Sequence, residues 1–255
     1  ILNYISLGKK DIESYKPDLI IYIDYPGFNM KIAKWAKTKN FVNHFYISPK
    51  VWVWKEYRVK KIKKVIDKMY VILPFEKDYY KNKHNYNVDF VGHPLLDAID
   101  DKKEFSKQKF ISENKLSSKP IIALLPGSRD QEISKLLPVM LNVISDFKDY
   151  EIIIAGAPNK NIDYYKKIIQ TNKSNNNSIK IICNQTYDIL RVSSAAIVTS
   201  GTATLETALF RVPQVVCYKT SFISYLIGRL LIPDLKYISL VNIILDKKAV
   251  TELIQ

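Results

Sequence analysis

The stretch Ala195-Ala-Ile-Val-Thr-Ser-Gly-Thr-Ala-Thr-Leu-Glu206 decides how the rest of the chain is read. Its apolar run, Ala195 to Val198, predicts a buried strand; Gly201 breaks it, and Thr202 to Phe210 opens at once as a helix. A strand that turns through glycine into a helix gathers free backbone N–H groups and the positive end of the helix dipole at one spot. That spot suits a phosphate. Glu206 falls about one turn into the helix, and helical side chains lean towards the N-terminus, so its carboxylate can reach the same mouth. Beside an anion site a carboxylate is better suited to sugar hydroxyls than to the phosphate, as the acidic residue of dinucleotide folds is to ribose. A plain capped helix with a surface glutamate fits these residues equally well.

Outward from this stretch the same strand-to-helix pattern recurs. Ile121 to Leu125 reads as a strand, Pro126-Gly-Ser-Arg129 turns it, and a helix follows from Asp130, with Ser128 and Gln131 spaced as a capping box. Arg129 beside that glycine turn fits a second anion site, with a planar guanidinium able to grip in bidentate fashion, or an ordinary N-cap with an exposed arginine. Glu151–Ala155, Ile179–Cys183 and Val212–Tyr218 read as strands, Asn161–Gln170 and Tyr187–Ser193 as helices, and Thr171–Ser178 as a surface loop. Ser221–Ile232 reads as an apolar helix carrying Arg229, suited to burial against a partner or a membrane, and Lys247–Gln255 as a helical run.

Towards the start, residues 1–15 read as a helix and Leu19–Ile23 as a buried strand ending at Asp24, where open α/β sheets place their ligands. Asp24 also fits a turn or cap. Tyr25-Pro-Gly27 reads as a turn, Met30–Lys37 as a helix and Phe41–Ile47 as a strand. Val51-Trp-Val-Trp54 leads into a basic helix, Lys55–Lys68, holding Lys55, Arg58, Lys60, Lys61, Lys63, Lys64 and Lys68. Tryptophans beside so many cations fit a contact with anionic lipid, or a solvated helix whose tryptophans lie in the core. Met69–Leu73 and Val88–Val91 read as strands, Pro74–Tyr80 as a short helix, and His93 as a turn histidine or a ligand contact. The polar, lysine-rich residues 100–120 are the best linker, which divides the chain into domains 1–105 and 106–255.

The chain has 255 residues, 47% of them hydrophobic, enough for two domains, and a formal charge of +14 that directs it towards anions of some kind. No signal peptide is visible, nor any apolar run near the roughly 18 residues a membrane span needs. Cys183 and Cys217 sit in apolar strands without a C-x-x-C pattern, which predicts buried thiols in a reducing compartment. With three scattered histidines, no metal cluster and no cofactor are expected.

Taken together, Ile23-Asp-Tyr-Pro-Gly-Phe-Asn29, Tyr46-Ile-Ser-Pro-Lys-Val-Trp-Val-Trp54 with Arg58-Val-Lys-Lys-Ile62, Leu73-Pro-Phe-Glu76, Val91-Gly-His-Pro94, Leu125-Pro-Gly-Ser-Arg129 with Glu132, Ser200-Gly-Thr-Ala-Thr-Leu-Glu206 and Ser239-Leu-Val-Asn242 resemble the lipid-A-disaccharide synthases in both content and order. The resemblance implies a GT-B α/β fold, two Rossmann-like domains whose parallel sheets face each other across a cleft. Residues 1–105 would be the acceptor-side domain and 106–255 the UDP-sugar-binding domain. It implies an inverting transfer of 2,3-diacylglucosamine from UDP to 2,3-diacylglucosamine 1-phosphate, giving the β-1,6 disaccharide of lipid A and UDP.

Asp24 matches the catalytic aspartate. Ser128, Arg129, Glu132, Ser200, Gly201, Thr202, Glu206 and Asn242 match substrate-binding positions, with Ser200, Gly201 and Thr202 lining the diphosphate mouth. The implied partners are the two lipid substrates and an anionic membrane surface, not nucleic acid, with a homodimer left open. The implied place is the cytoplasm, peripheral on the inner face of the cytoplasmic membrane of a Gram-negative-type bacterium. Gly27 and Val241 depart from the family, which has an acidic residue and a proline there. The family's glycine-rich first motif falls before Ile1 and its last helices after Gln255, so a fragment is expected. The rivals are a peptidoglycan-type UDP-N-acetylglucosamine transferase, a sugar-nucleotide 2-epimerase, or a basic module binding membrane or nucleic acid. An epimerase would turn over the UDP-sugar with no acceptor present, and a binding module would not need Asp24.

Overall fold

The computed structural model describes residues 2–100, 104–172, 179–219 and 236–254. The chain divides into two units, Ile1–Ala98 and Ile99–Gln255.

The first unit alternates α1 (Leu2–Tyr15), β1 (Leu19–Ile23), α2 (Pro26–Thr38), β2 (Val42–Tyr46), α3 (Val59–Val65), β3 (Lys68–Val71), α4 (Pro74–Asp78) and β4 (Asp89–Phe90), with α5 (Leu95–Asp100) crossing the division. Its four strands are parallel and stand in chain order, β1-β2-β3-β4. Phe45, Met69 and Val71 point into a core closed by Ile32, Ala33, Val59 and Ile62. One polar side chain holds this core together. The buried Asn43 on β2 accepts from Tyr22 Oη at 3.0 Å and donates to the carbonyls of Ala33 and Val65 at 3.0 and 2.9 Å. Both N–H groups and the carbonyl oxygen of its amide thus have partners, as burial demands.

Three readings are corrected here. β1 is not buried: as an edge strand it leaves Ile21 and Ile23 more than half exposed. α2 begins at Pro26 and not at Met30, because a proline at the first helical position has its φ already set and no N–H to lose. The basic helix is shorter than its run of lysines. A 3₁₀ turn, Glu56–Arg58, precedes α3, and the β-branched pair Val65-Ile66 leaves the helix for extended backbone. Lys68 therefore belongs to β3, where it pairs with Asp89 at 3.1 Å.

The second unit carries α6 (Lys107–Glu113), β5 (Ile121–Leu125), α7 (Asp130–Val143), β6 (Glu151–Gly156), α8 (Ile162–Thr171), β7 (Ile179–Cys183), α9 (Thr186–Val192), β8 (Ala195–Thr199), α10 (Thr202–Leu209), β9 (Gln214–Tyr218), α11 (Leu240–Leu245) and β10 (Thr251–Ile254). The six strands are parallel in the order β10-β9-β8-β5-β6-β7. β5 and β6 are buried along their whole length, as central strands of a sheet covered by helices on both faces are. From β5 the chain builds outward through β6 and β7, then returns through α9 to lay β8 on the other side of β5. The strand order reverses there, and the carboxyl ends of β5 and β8 flank the switch.

Two further readings change. The stretch taken as a linker contains α6, capped by Ser106, whose hydroxyl accepts from Lys109 N, and anchored by the buried Phe110. The described part of the run Lys247–Gln255 is not helical: Asp246 ends α11 in a left-handed conformation, and Thr251–Ile254 pairs with β9. Of the loop expected at Thr171–Ser178, Thr171 still belongs to α8 and Asn172 caps it; residues 173–178 and the apolar helix expected at 221–232 lie outside the described residues.

Candidate functional site

At the switch point two turns emerge side by side, since Leu125 of β5 stands opposite Val198 of β8. These are the two glycine turns of the sequence. After β8, Ser200 and Gly201 lead into α10, and Gly201 at its N-cap offers no side-chain acceptor to the first N–H groups. Among the described residues, a Cβ built on Gly201 would meet no atom within 4 Å, so the approach to the helix end is open. The helix below is fixed: Thr204 Oγ1 donates to Gly201 O at 2.8 Å, and Gln214 Nε2 to Thr204 O at 2.9 Å. Open N–H groups on a rigid mount are what an anion site requires.

After β5 the turn is organised differently from the expected Ser128–Gln131 box. The N-cap is Arg129, and the side chain that reaches back is Glu132 at N3. Its Oε2 accepts from the backbone N–H of both Ser128 and Arg129 at 3.3 Å, and its Oε1 receives Arg129 Nη1 at 2.5 Å. A carboxylate accepts from two N–H groups at once, so the frame shifts by one residue in favour of Glu132. Gly127 makes room for it: its φ is +103°, and a Cβ there would stand 2.7 Å from Glu132 Oε2. Glu132 thus shapes the loop, while Arg129, whose side chain is 80% exposed, keeps four N–H donors beyond that ion pair.

Glu206, on the second turn of α10, is half-buried, and Tyr187 Oη of α9 donates to its Oε1 at 3.0 Å. Burial raises the Glu206 carboxyl above the ordinary range, and the tyrosine bond draws it partly back. Burial and the neighbouring carboxylate push the Tyr187 phenol up to about 12, so at neutral pH it remains a donor.

Asn242 does not sit as a ligand residue would. It is fully buried in α11; its Nδ2 donates to Val250 O and Glu252 Oε1 at 2.9 and 2.8 Å, and its Oδ1 accepts from Ala249 N and Val250 N at 2.8 and 2.9 Å. Every hydrogen-bonding position of the amide is taken by these contacts within the fold. Glu252, absent from the sequence reading, gathers Ile238 N, Ser239 N and Ser239 Oγ at 2.7–2.9 Å. Ser200 Oγ in turn donates to Ile238 O at 3.4 Å, so this network backs the glycine mouth.

In the first unit, Asp24 is exposed at the carboxyl end of β1. Asp24 and Tyr25 both hold left-handed backbone, φ 46° and 42°. Asn29 Nδ2 clamps them, donating to Asp24 O at 2.7 Å and Ile23 O at 3.1 Å, while Tyr25 stacks on Phe28. Two consecutive left-handed non-glycine residues are uncommon, and such strain gathers at functional sites. A Cβ on Gly27 would touch nothing within 4 Å, so packing does not impose the glycine there.

Glu76 carries a role the sequence did not reveal. It is buried, and it accepts from Ser48 Oγ at 2.6 Å, Trp52 Nε1 at 3.1 Å, Leu73 N at 2.9 Å and Ile72 N at 3.2 Å. The only hint was a glutamate three residues after Leu73 and just behind a proline, the N3 position of a helix start. This carboxylate pins the loop after β2, and Trp52 lies edge-on to Phe75 at 4.9 Å, inside the fold. Trp54 and Tyr57 face outward instead. His93 Nδ1 accepts from Leu95 N at 3.2 Å in its own turn, and burial, with Lys50 nearby, lowers its pKa. Among the described residues, no three His, Cys, Asp or Glu side chains gather in a way that could hold a metal ion.

A family model described as lipid-A-disaccharide synthetase matches residues 1–255. A lipid-A-disaccharide synthase of Francisella philomiragia is 38% identical over 267 residues, and one of Francisella tularensis subsp. tularensis 39% over 262. Each alignment takes in all of this chain and 68% of the relative. Among solved structures, the Staphylococcus aureus MnaA–UDP co-structure superimposes with a TM-score of 0.63 at 13% identity, covering 88% of this chain and 63% of that one. The UDP-GlcNAc 2-epimerase of Neisseria meningitidis bound to UDP-GlcNAc gives 0.63 at 16%, covering 89% and 66%. At such identities the two structures speak for the GT-B fold alone.

Proposed function

The chain belongs to the lipid-A-disaccharide synthase family, and on that premise we propose that it is an inverting glycosyltransferase moving 2,3-diacylglucosamine from UDP to 2,3-diacylglucosamine 1-phosphate. The observation that carries the donor half of this reading is the pairing of two glycine turns at the switch point of the six-stranded sheet. Ser200, Gly201 and Thr202 present the α10 N-terminus to the diphosphate. Arg129 adds a cation on the neighbouring turn. Glu206 accepts from sugar hydroxyls of the UDP moiety. As the glycosidic bond to UDP breaks, negative charge grows on the leaving diphosphate, and fixed dipoles with a guanidinium stabilise it without reorganising.

The acceptor half rests on Asp24. Inverting transfer needs one base to take the proton of the attacking hydroxyl, and a lone exposed carboxylate at the end of a strand meets that need. With glycine at position 27, no second carboxylate from that position assists it. The test is UDP release from UDP-2,3-diacylglucosamine, followed with EDTA present, with and without 2,3-diacylglucosamine 1-phosphate. Release that requires the acceptor is expected. Turnover of the donor alone would overturn the reading in favour of an epimerase-type reaction.

Acylated substrates reside in a membrane, which gives a purpose to the outward face around Trp54. Trp54 and Tyr57 are 42% and 69% exposed, Lys55 Nζ lies 4.3 Å from the Trp54 ring centre, and Arg58, Lys60 and Lys61 follow. We place the protein peripherally on the anionic inner face of the cytoplasmic membrane through this surface. No helix among the described residues is long and apolar enough to cross one. Sedimentation with vesicles containing anionic lipid is expected at low salt. It should weaken about tenfold in Trp54→Ala with Lys60→Glu, since each cation near the surface contributes about 1 kcal/mol. Equal binding by the variant would discard this surface.

A further inference from the structure

We propose that Tyr187 is a positioning residue for donor recognition: its phenol holds Glu206 so that the carboxylate meets the vicinal hydroxyls of a nucleoside diphosphate's ribose. The inference rests on the reading that Glu206 receives sugar hydroxyls, and it adds a group that touches no ligand itself. The geometry begins with two helices from different crossovers. α9 ends the connection from β7 and α10 starts the next one, and the Tyr187 Oη to Glu206 Oε1 bond of 3.0 Å ties the first turn of α9 to the second turn of α10.

The tyrosine is not free to swing. Its ring lies against Phe210, centroids 5.3 Å apart, and the Arg191 guanidinium covers Phe210 at 5.6 Å and Phe105 at 5.2 Å. The stack from Phe105 to Tyr187 therefore fixes the donor before any ligand arrives. A glutamate's last torsion is broad and nearly two-fold, so without a partner the carboxylate plane would turn freely. With Tyr187 holding one lone pair of Oε1, three acceptor positions remain for two hydroxyls, and among the described residues no other donor reaches that carboxylate. Such a preset plane favours ligands carrying both hydroxyls over those lacking them, because a receptor built to bond a hydroxyl is left unpaired by its absence.

The experiment compares UDP with 2′,3′-dideoxy-UDP by calorimetry on the full chain, in wild type, Tyr187→Phe and Glu206→Ala. Wild type is expected to prefer UDP by about 10–100-fold, from two hydrogen bonds to a charged acceptor. Glu206→Ala should erase the preference. Tyr187→Phe keeps the ring on Phe210 and should cut the preference about fivefold while leaving dideoxy-UDP affinity within roughly twofold. If Tyr187→Phe weakens both ligands equally, the residue is structural and the proposal fails alone. If Glu206→Ala retains the preference, or wild type binds no UDP, the reading of Glu206 falls and this proposal falls with it.

Discussion

Asp24→Asn is expected to lower acceptor-dependent UDP release by about 10²–10⁴-fold while UDP binds as before, the range a positioned general base contributes. Asparagine keeps the size of the side chain and tolerates the left-handed backbone that Asp24 adopts, so the loop should survive. What it loses is the ability to take a proton. The local frame makes this a clean substitution. Tyr25, also left-handed, carries a cost of about 1–2 kcal/mol that aspartate and asparagine largely escape. The Asn29 clamp on Ile23 O and Asp24 O uses backbone carbonyls that the change leaves in place. Release that persists in Asp24→Asn, with UDP affinity intact, would keep the family and remove Asp24 from the chemistry.

Both glycine turns and the strand ending at Asp24 were legible in the sequence, because each is written in local chemistry. An apolar run, a glycine and an immediate helix leave little else for the backbone to do. What could not be read was everything set by a distant partner. The Arg129 frame differs from the Ser128 frame by one residue, and only the seat that Gly127 leaves for Glu132 decides between them. Glu76 marks a helix start in the sequence, and only the fold brings Ser48 and Trp52 onto its carboxylate. β10 was misread for the same reason: the spacing of Val250, Leu253 and Ile254 suits a helix face as well as a strand, and the open edge of β9 selects the strand. The link from Tyr187 to Glu206 joins two helices and has no local signature at all.

The second large effect is expected at Asn242. The family pattern groups it with the substrate-binding residues, yet its amide is spent entirely on α11, the turn at Ala249-Val250 and Glu252 of β10. Asn242→Ala should therefore destabilise the chain in urea by about 2–3 kcal/mol, because the backbone N–H groups of Ala249 and Val250 and one oxygen of Glu252 lose a buried partner. Asn242→Asp should cost more, about 3–5 kcal/mol, since it sets a second carboxylate where a 2.8 Å hydrogen bond to Glu252 stood. UDP affinity of the fraction that remains folded should fall less than threefold in Asn242→Ala, about 0.6 kcal/mol, because the Glu252 contacts to Ile238 and Ser239 survive behind Ser200. The opposite pattern, unchanged urea stability with UDP affinity down tenfold or more, would return Asn242 to the binding site. The geometry favours the first: a side chain without a free donor or acceptor has nothing left to offer a substrate.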